Sequence, residues 1–544
     1  MEITWWKETV VYQVYPRSFK DSDGDGIGDL RGIIEKLDYI RDLGVGVIWL
    51  SPVYKSPNTD NGYDISDYRA IMPEFGNMDD FDALLRGAHE RGLRIVMDLV
   101  VNHTSDEHEW FAESRSSKDN PRRDYYIWRD GVNGGEPNNW ASFYSPSAWE
   151  LDPRTGQYYL HYFAVKQPDL NWESREMREE VYDMMRFWLD KGIDGFRCDV
   201  INATKKPAGL PSSEKPANTA SGRVFDMDMM FNNPGQAELI REIARNTLAR
   251  YDVMSVGETC GATPENALDY VREGSGGLSM VFHFEIVDNK ERWTLPFIKA
   301  VQRKWIGALH GKGWLSQYLS NHDQPRQVSI YGDDARYRVE SAKLLATMIH
   351  TLPGTPYIYQ GEEIGMTNTR FSSIDEINDI QSHHTYNEMT GRGAPPEEAL
   401  AHLNRFSRDQ ARTPMPWDDT PGFTAGKPWL RYNPAFGEIN VKAAMADPDS
   451  IYHHYKKLIA LRKANPVMVY GDFEDLLPDD EHLYVYTRSL GGEVWLVALN
   501  FSANQAALPV NAEGEIILSN YGGAGAKYTA DAGLRPYEAV IIRR

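Results

Sequence analysis

A (β/α)8 barrel is the fold class that the 544-residue sequence predicts. Short apolar, β-branched segments alternate with longer segments of helical period through most of the chain. Eight of the short segments read as strands, the number a closed barrel needs. Acidic and basic residues gather at the carboxyl ends of several of these strands, the end at which barrel enzymes place their chemistry. Strand-helix alternation alone also fits an open, doubly wound sheet.

The first strand is expected at 10–15, V-V-Y-Q-V-Y, a β-branched and aromatic run. Helical patterns at 30–43 and 79–91 lead into strands at 45–50 and 94–100. Residues 104–173 are rich in Trp, Tyr, Asn, Pro and Gly and contain no long amphipathic pattern, so they read as a small domain inserted after strand three. A helix at 175–191 precedes the fourth strand at 195–200, and another at 236–249 precedes the fifth at 253–258. Strands six and seven are expected at 278–284 and 314–320, and a helix at 337–351 precedes strand eight at 355–360. Residues 374–416 look irregular and are placed over the barrel mouth. Beyond about residue 478 the pattern becomes short strands (482–489, 493–501, 516–519, 538–543) with turns, an antiparallel β-sandwich by pattern. The expected division is a barrel at 1–103 and 174–477, an insert at 104–173 and a β-sandwich at 478–544.

Hydrophobic residues at 41% and charged residues at 25% fit a globular protein. With 58 Lys and Arg against 79 Asp and Glu the net charge is -21, which repels nucleic acid and anionic membranes. The chain is expected to be a monomer or weak homo-oligomer. The 15 Trp and 30 Tyr suit stacking on flat sugar or base faces. The opening M-E-I-T-W-W-K-E-T-V-V-Y has neither the basic nor the apolar region of a secretion signal, and no run of about 18 apolar residues suits a membrane span. Cys198 and Cys260 are too few for a disulfide scaffold, so the cytoplasm is expected.

The stretch D-S-D-G-D-G-I-G-D-L, residues 21–30, has the alternating acids and sharp-turn glycine of a calcium loop. Asp21, Asp23, Asp25, the Ile27 carbonyl and Asp29 take the ligand places, and Gly26 the turn. Position twelve, where a sensor loop needs a bidentate Glu, is Gly32, and a strand rather than a helix precedes the loop. A structural Ca²⁺ or Mg²⁺ is expected; the competing reading is a solvated acidic turn.

Strand three ends in D-L-V-V-N-H with Asp98, Asn102 and His103, and strand four in G-F-R-C-D-V-I-N with Arg197 and Asp199. Strand five ends at Glu258, and S-N-H-D-Q-P-R after strand seven supplies His322, Asp323 and Arg326. In a barrel these ends share one mouth, bringing Asp199, Glu258 and Asp323 together. Converging carboxylates suit glycoside hydrolysis, in which one acid protonates the leaving oxygen and another attacks or stabilises the anomeric carbon. Arg197 should keep Asp199 ionised as a nucleophile, leaving Glu258 as the proton donor. His103 and His322 lack a third ligand at zinc-type spacing, so hydrogen bonding to sugar hydroxyls is the better reading. Cys198 should point out of the barrel into the packing of the helices.

These strand ends, with W-W-K-E-T-V-V-Y-Q-V-Y-P-R-S-F, D-N-G-Y-D-I-S-D-Y, K-Q-P-D-L-N-W, G-T-P-Y-I-Y-Q-G-E-E-I-G-M-T-N and A-R-T-P-M, resemble the α-amylase family, glycoside hydrolase family 13. The closest likeness is to its oligo-1,6-glucosidase and α-glucosidase branch, over nearly the whole chain. The resemblance implies a retaining mechanism with Asp199 as nucleophile, Glu258 as acid/base and Asp323 as transition-state stabiliser. It implies a pocket from Asp60, Tyr63, His103, Tyr144, Phe163, Gln167, Arg197, His322 and Arg412, with Asp60 and Arg412 pinning the terminal glucose so that cleavage is exo. It also implies that the acidic loop holds its cation away from the mouth.

Three positions depart from the branch: Tyr144 where Phe is common, Pro416 for the usual Gln near the expected pocket rim, and Cys260 after the acid. Val200, after the nucleophile, accompanies α-1,6 preference in the branch, where Ala or Thr accompanies α-1,4. Related activities on the same scaffold are the alternatives: a broad or α-1,4-preferring α-glucosidase, a trehalose-6-phosphate hydrolase and a sucrose isomerase or other transglucosylase. F-E-I-V-D-N-K-E-R-W after strand six lacks the arginine-rich loop of the isomerases, and Lys205 and Lys206 are the basic residues in reach of a phosphate. A non-catalytic interaction protein is the remote reading, disfavoured because all three acids are present.

Overall fold

Eight parallel strands close into a barrel: β1 (Val11–Val14), β2 (Val47–Leu50), β3 (Arg94–Val100), β4 (Gly195–Asp199), β5 (Met254–Thr259), β6 (Met280–His283), β7 (Ser316–Gln317) and β8 (Thr355–Tyr359). The computed structural model describes residues 4–529 and 532–544, so the first three residues of the opening stretch lie outside it. Pairing runs β6-β5-β4-β3-β2-β1-β8-β7. A parallel bridge from Val281 in β6 to Leu315 beside β7 joins the two ends. This is the expected fold, and each strand lies within a residue or two of its expected place except β7, which is shortened to two residues.

Side chains alternate across the strands as a barrel requires. Val11, Val47, Trp49, Val96, Val256, Met280, Phe282 and Tyr357 pack together inside it. Tyr12, Val14, Ile48, Leu50, Ile95, Leu99 and Cys198 belong to the outer core under the helices. Cys198 thus has the packing position expected of it. Residues 30–43 form two helices, Leu30–Glu35 and Leu37–Leu43, broken at Lys36. The helix Met78–Glu90 opens with a capping box of Asn77 and Asp80, and Arg175–Lys191 runs from the Ser174 cap to Gly192 at φ 105°.

Residues 374–416 are not irregular: they hold the helices Ile380–Gly391 and Pro396–Phe406. The first starts at Asp379, whose side chain accepts the Gln381 and Ser382 N–H groups, but Ser382 is its sole buried residue. So little apolar surface leaves no helical stripe to read. The pair is anchored by Leu403 against Phe371, Ile377 and Leu430.

The insert carries a three-stranded antiparallel sheet with Gln157–Leu160 between Trp128–Arg129 and Trp149–Asp152. At the carboxyl end, six antiparallel strands form one sheet that begins with Asp472–Asp475, ahead of residue 478. One face (Tyr484, Tyr486, Trp495, Val497, Ile541) joins the barrel's outer core. The other (Val485, Leu496, Ala498, Val540, Ile542) packs under connecting segments bearing Leu508 and Leu534. Those segments supply the second layer of this β-fold. No helix among the described residues is long and apolar enough to cross a membrane.

Candidate active site

Arg197 and Asp199 are two residues apart on β4 and so face the same side, into the barrel mouth. Arg197 is 1% exposed and its guanidinium serves three carboxylates. Nη1 donates to Asp98 at 2.6 Å and to Asp199 at 2.5 Å, and Nη2 donates to Glu258 at 2.6 Å. Asp98, on β3, also accepts the Trp49 indole N–H at 2.7 Å. The sequence places Asp98 at the strand-three end without assigning it a role, and the structure makes it a third partner of Arg197.

Three acids on one cation change the expected charge distribution. Burial raises the pKa of Asp199, Arg197 lowers it, and Glu258 and Asp98 raise it again, leaving it well above the carboxylate range. The Arg197 charge expected to keep Asp199 ionised is divided among three carboxylates. Asp199 and Glu258 are held side by side on the two arms of that guanidinium. Asp323 behaves oppositely. Burial raises its pKa, but His322, Arg408 and Arg412 together bring it well below the usual range. One mouth thus holds two acids on a shared cation and a fixed anion, a combination suited to protonating a glycosidic oxygen while stabilising positive charge.

These acids open onto a cavity of about 400 Å³. Asp60, Tyr63, His103, Tyr144, Phe163 and Val200 line it with Asp199, Glu258 and Asp323. Gln167, His322, Arg197 and Arg412 stand behind this wall. Gln167 donates to Asp60 at 3.2 Å and lies 3.2 Å from His103 Nε2. His322 lies 3.1 Å from Asp323 through Nε2, receives Gln13 at 2.8 Å on Nδ1, and stacks under the Tyr63 ring. Burial lowers the pKa of His103 to about 4, so it is neutral.

The arginine facing Asp60 is Arg408, not Arg412. Arg408 donates to Asp60 at 3.0 Å, Tyr144 Oη at 3.1 Å, Asp323 at 3.2 Å and Asp379 at 2.7 Å. Arg412 sits one helical turn further on, donating to Asp323 at 2.8 Å and to the His322 carbonyl at 3.0 Å. Both lie in the phrase S-R-D-Q-A-R, and the four-residue spacing puts them on one face. That spacing was the signal for Arg408. Asp379, the helix cap, carried none. The Tyr144 hydroxyl is used by this network. Pro416 is not at the rim: it does not line the cavity, and its carbonyl accepts the Val441 N–H.

Val200 has φ 32° and ψ 42°, the left-handed region that a β-branched residue avoids. Such a residue costs about 1–3 kcal/mol and persists only where its surroundings enforce it. Its N–H donates to Glu258 Oε2 at 3.0 Å.

Lys206 is buried rather than solvated, held by Asp169 at 2.6 Å and Asn102 at 2.8 Å, and Lys205 pairs with Glu173. Lys290 enters the outer cavity among Asp288, Glu291 and Asp323.

Among the described residues, Asp21, Asp23 and Asp29 offer carboxylate oxygens within 4.8 Å of one another, a donor set that fits a hard cation. Asp25 is outside that group, its carboxylate accepting the Ile27 N–H at 2.8 Å. The loop is tied away from the mouth, where Trp429 N–H donates to the Gly26 carbonyl. Gly26 is required there: at φ 98°, a Cβ would meet the Lys427 carbonyl oxygen at 1.9 Å.

The alpha-amylase catalytic domain matches residues 13–471. The chain belongs to the alpha-amylase family. It is 54% identical to an oligo-1,6-glucosidase of Parageobacillus thermoglucosidasius, covering all of this chain and 99% of that protein. A trehalose-6-phosphate hydrolase of Bacillus subtilis is 46% identical, over 99% of this chain and 98% of the other. The crystal structure of a trehalulose synthase from Pseudomonas mesoacidophila superposes with a TM-score of 0.94 at 43% identity, covering all of both chains. Membership of this family makes the protein a glycoside hydrolase, and it accounts for the barrel, the insert and the strand-end acids together.

Proposed function

We propose that the protein is a retaining, exo-acting α-glucosidase that releases glucose from the non-reducing end of short α-1,6-linked oligosaccharides. The observation that carries this reading is the pairing of Asp199 and Glu258 on the two arms of Arg197, beside a pocket walled by Asp60 and Arg408. Asp199 attacks the anomeric carbon and Glu258 protonates the leaving oxygen. Glu258 then activates water against the glycosyl ester, and Asp323 stabilises the positive charge that develops on the sugar in the transition state of each step. The bonding of both carboxyls to one guanidinium supports retention, since inversion needs more room for a water between them. Asp60, Arg408 and Gln167 hold the terminal glucose hydroxyls, and a pocket walled in this way takes a chain end.

The outer cavity argues against a phosphorylated second sugar. One lysine stands there among Asp288, Glu291 and Asp323, so a phosphate would meet net negative charge. The relative's name supports α-1,6 linkages, and Val200 gives a physical reason. Its branched side chain, 5% exposed on the cavity wall, crowds the stiffer α-1,4 link, whereas the α-1,6 link has one more rotatable bond. Isomaltose, maltose, sucrose and trehalose-6-phosphate assayed side by side should show glucose released fastest from isomaltose. Val200→Ala, which removes the branch, should raise maltose turnover by about ten- to hundredfold relative to isomaltose, the scale of other methyl-sized discriminations. Equal turnover of maltose by the unmodified enzyme would leave a broad α-glucosidase.

We also propose a structural Ca²⁺ or Mg²⁺ on Asp21, Asp23 and Asp29, with no part in the chemistry. Chelation should lower the melting temperature while activity persists wherever the protein remains folded, since a ligand of the native state stabilises by mass action. Loss of activity ahead of unfolding would overturn that role. Two free cysteines, Cys198 and Cys260, support a cytoplasmic setting.

A further inference from the structure

The two oxygens of Glu258 have different surroundings. Oε2 receives Arg197 Nη2 at 2.6 Å and the Val200 N–H at 3.0 Å, and neither donor can accept a proton in return. Oε1 faces the Cys260 thiol at 3.9 Å, a weak donor, on the wall of the cavity. The donor from Val200 is available because that residue holds φ 32°, a conformation its β-branched side chain disfavours. Val200 is the residue next to Asp199, so the same turn that ends β4 joins the backbone of one acid to the carboxylate of the other.

We propose that the Val200 amide is a positioning group for the acid/base: it locks Glu258 Oε2 as an acceptor, so that the proton delivered to the leaving oxygen is carried by Oε1. This rests on Glu258 being the acid/base. When the glycosidic bond breaks, the proton passes from Oε1 to the leaving oxygen, and the negative charge left on Glu258 is stabilised at Oε2 by Arg197 and the Val200 N–H. In the second step Oε1 takes a proton from water as the water oxygen bonds to the anomeric carbon and the ester to Asp199 breaks. Val200 therefore acts through its backbone on acid strength, separately from any effect of its side chain on linkage.

The test replaces valine 200 by its α-hydroxy acid, which keeps the side chain and exchanges the N–H for an ester oxygen. Glu258→Gln is measured in parallel on isomaltose and on a dinitrophenyl glucoside, whose leaving group needs no proton. The ester protein should lose about ten- to hundredfold in kcat on isomaltose, the worth of a hydrogen bond to a charged group. It should keep its rate on the dinitrophenyl substrate, and the alkaline limb of its isomaltose profile should move to higher pH. Equal losses on both substrates, or none on isomaltose, would overturn the proposal. If Glu258→Gln does not separate the two substrates, the acid/base assignment itself has failed. Should the ester protein not fold, amide exchange at Val200 decides. Protection present in the unmodified enzyme should be lost in Glu258→Ala, and equal protection in both refutes the contact.

Discussion

Asp199→Asn is expected to abolish turnover of isomaltose and of activated aryl glucosides alike, with the fold retained. An amide cannot form the glycosyl ester, so no choice of leaving group rescues the reaction, unlike a change at the acid/base. The loss should reach about 10⁴-fold or more, the scale seen when a covalent catalyst loses its nucleophile. Stability should hold, because the amide oxygen still accepts from Arg197 and one acid is removed from a crowd of three. The checks are kcat on both substrates and the thermal midpoint of the variant. A rate within tenfold of the unmodified enzyme would remove Asp199 from the chemistry.

Arg408→Met should be the most damaging change away from the acid pair, with kcat/KM on isomaltose falling by about 10²- to 10³-fold. The side chain is 7% exposed and bonds Asp60, Asp323 and Asp379. Removing one partner from a buried ion network costs about 3–5 kcal/mol, because the carboxylates left behind are unpaired. Steady-state kinetics and a melting curve separate a pocket effect from general destabilisation. A variant with unchanged kcat/KM and a lowered melting point would make Arg408 a purely structural residue.

The barrel was legible because its strands are buried on both faces and therefore read as apolar runs, V-I-W-L in β2 and, interrupted by Asp98, I-V-M-D-L-V in β3. Asp199 and Glu258 were legible because they stand at the carboxyl ends of β4 and β5, and Asp323 because it follows β7 in the phrase S-N-H-D. The partners that set their charge states were harder to see. Asp60 and Arg408 are 348 positions apart, and no local pattern announces a pair formed by closure of the barrel and the folding back of a later segment. The division of Arg197 among Asp98, Asp199 and Glu258 depends on three neighbouring strands lying in register, which the pairing of β3, β4 and β5 supplies. Residues 380–406 misread for a different reason: a helix with few buried side chains has no apolar stripe, and its starting cap, Asp379, looks like any loop aspartate. Val200 stands out in the sequence through the family resemblance alone, and its amide contact to Glu258 depends on backbone angles that no sequence pattern shows.

The central claim is a double displacement through Asp199 with Glu258 as acid and then base, and the configuration of the first product tests it most directly. Proton NMR of the anomeric region should be followed from the first seconds of hydrolysis of an aryl α-glucoside, whose only released sugar is the glucose attacked by the enzyme, before mutarotation mixes the forms. The account predicts that α-glucose appears first and β-glucose only later, as the sugar equilibrates. β-Glucose as the initial product would mean a single displacement by water, and would contradict the assignment of Asp199 as nucleophile.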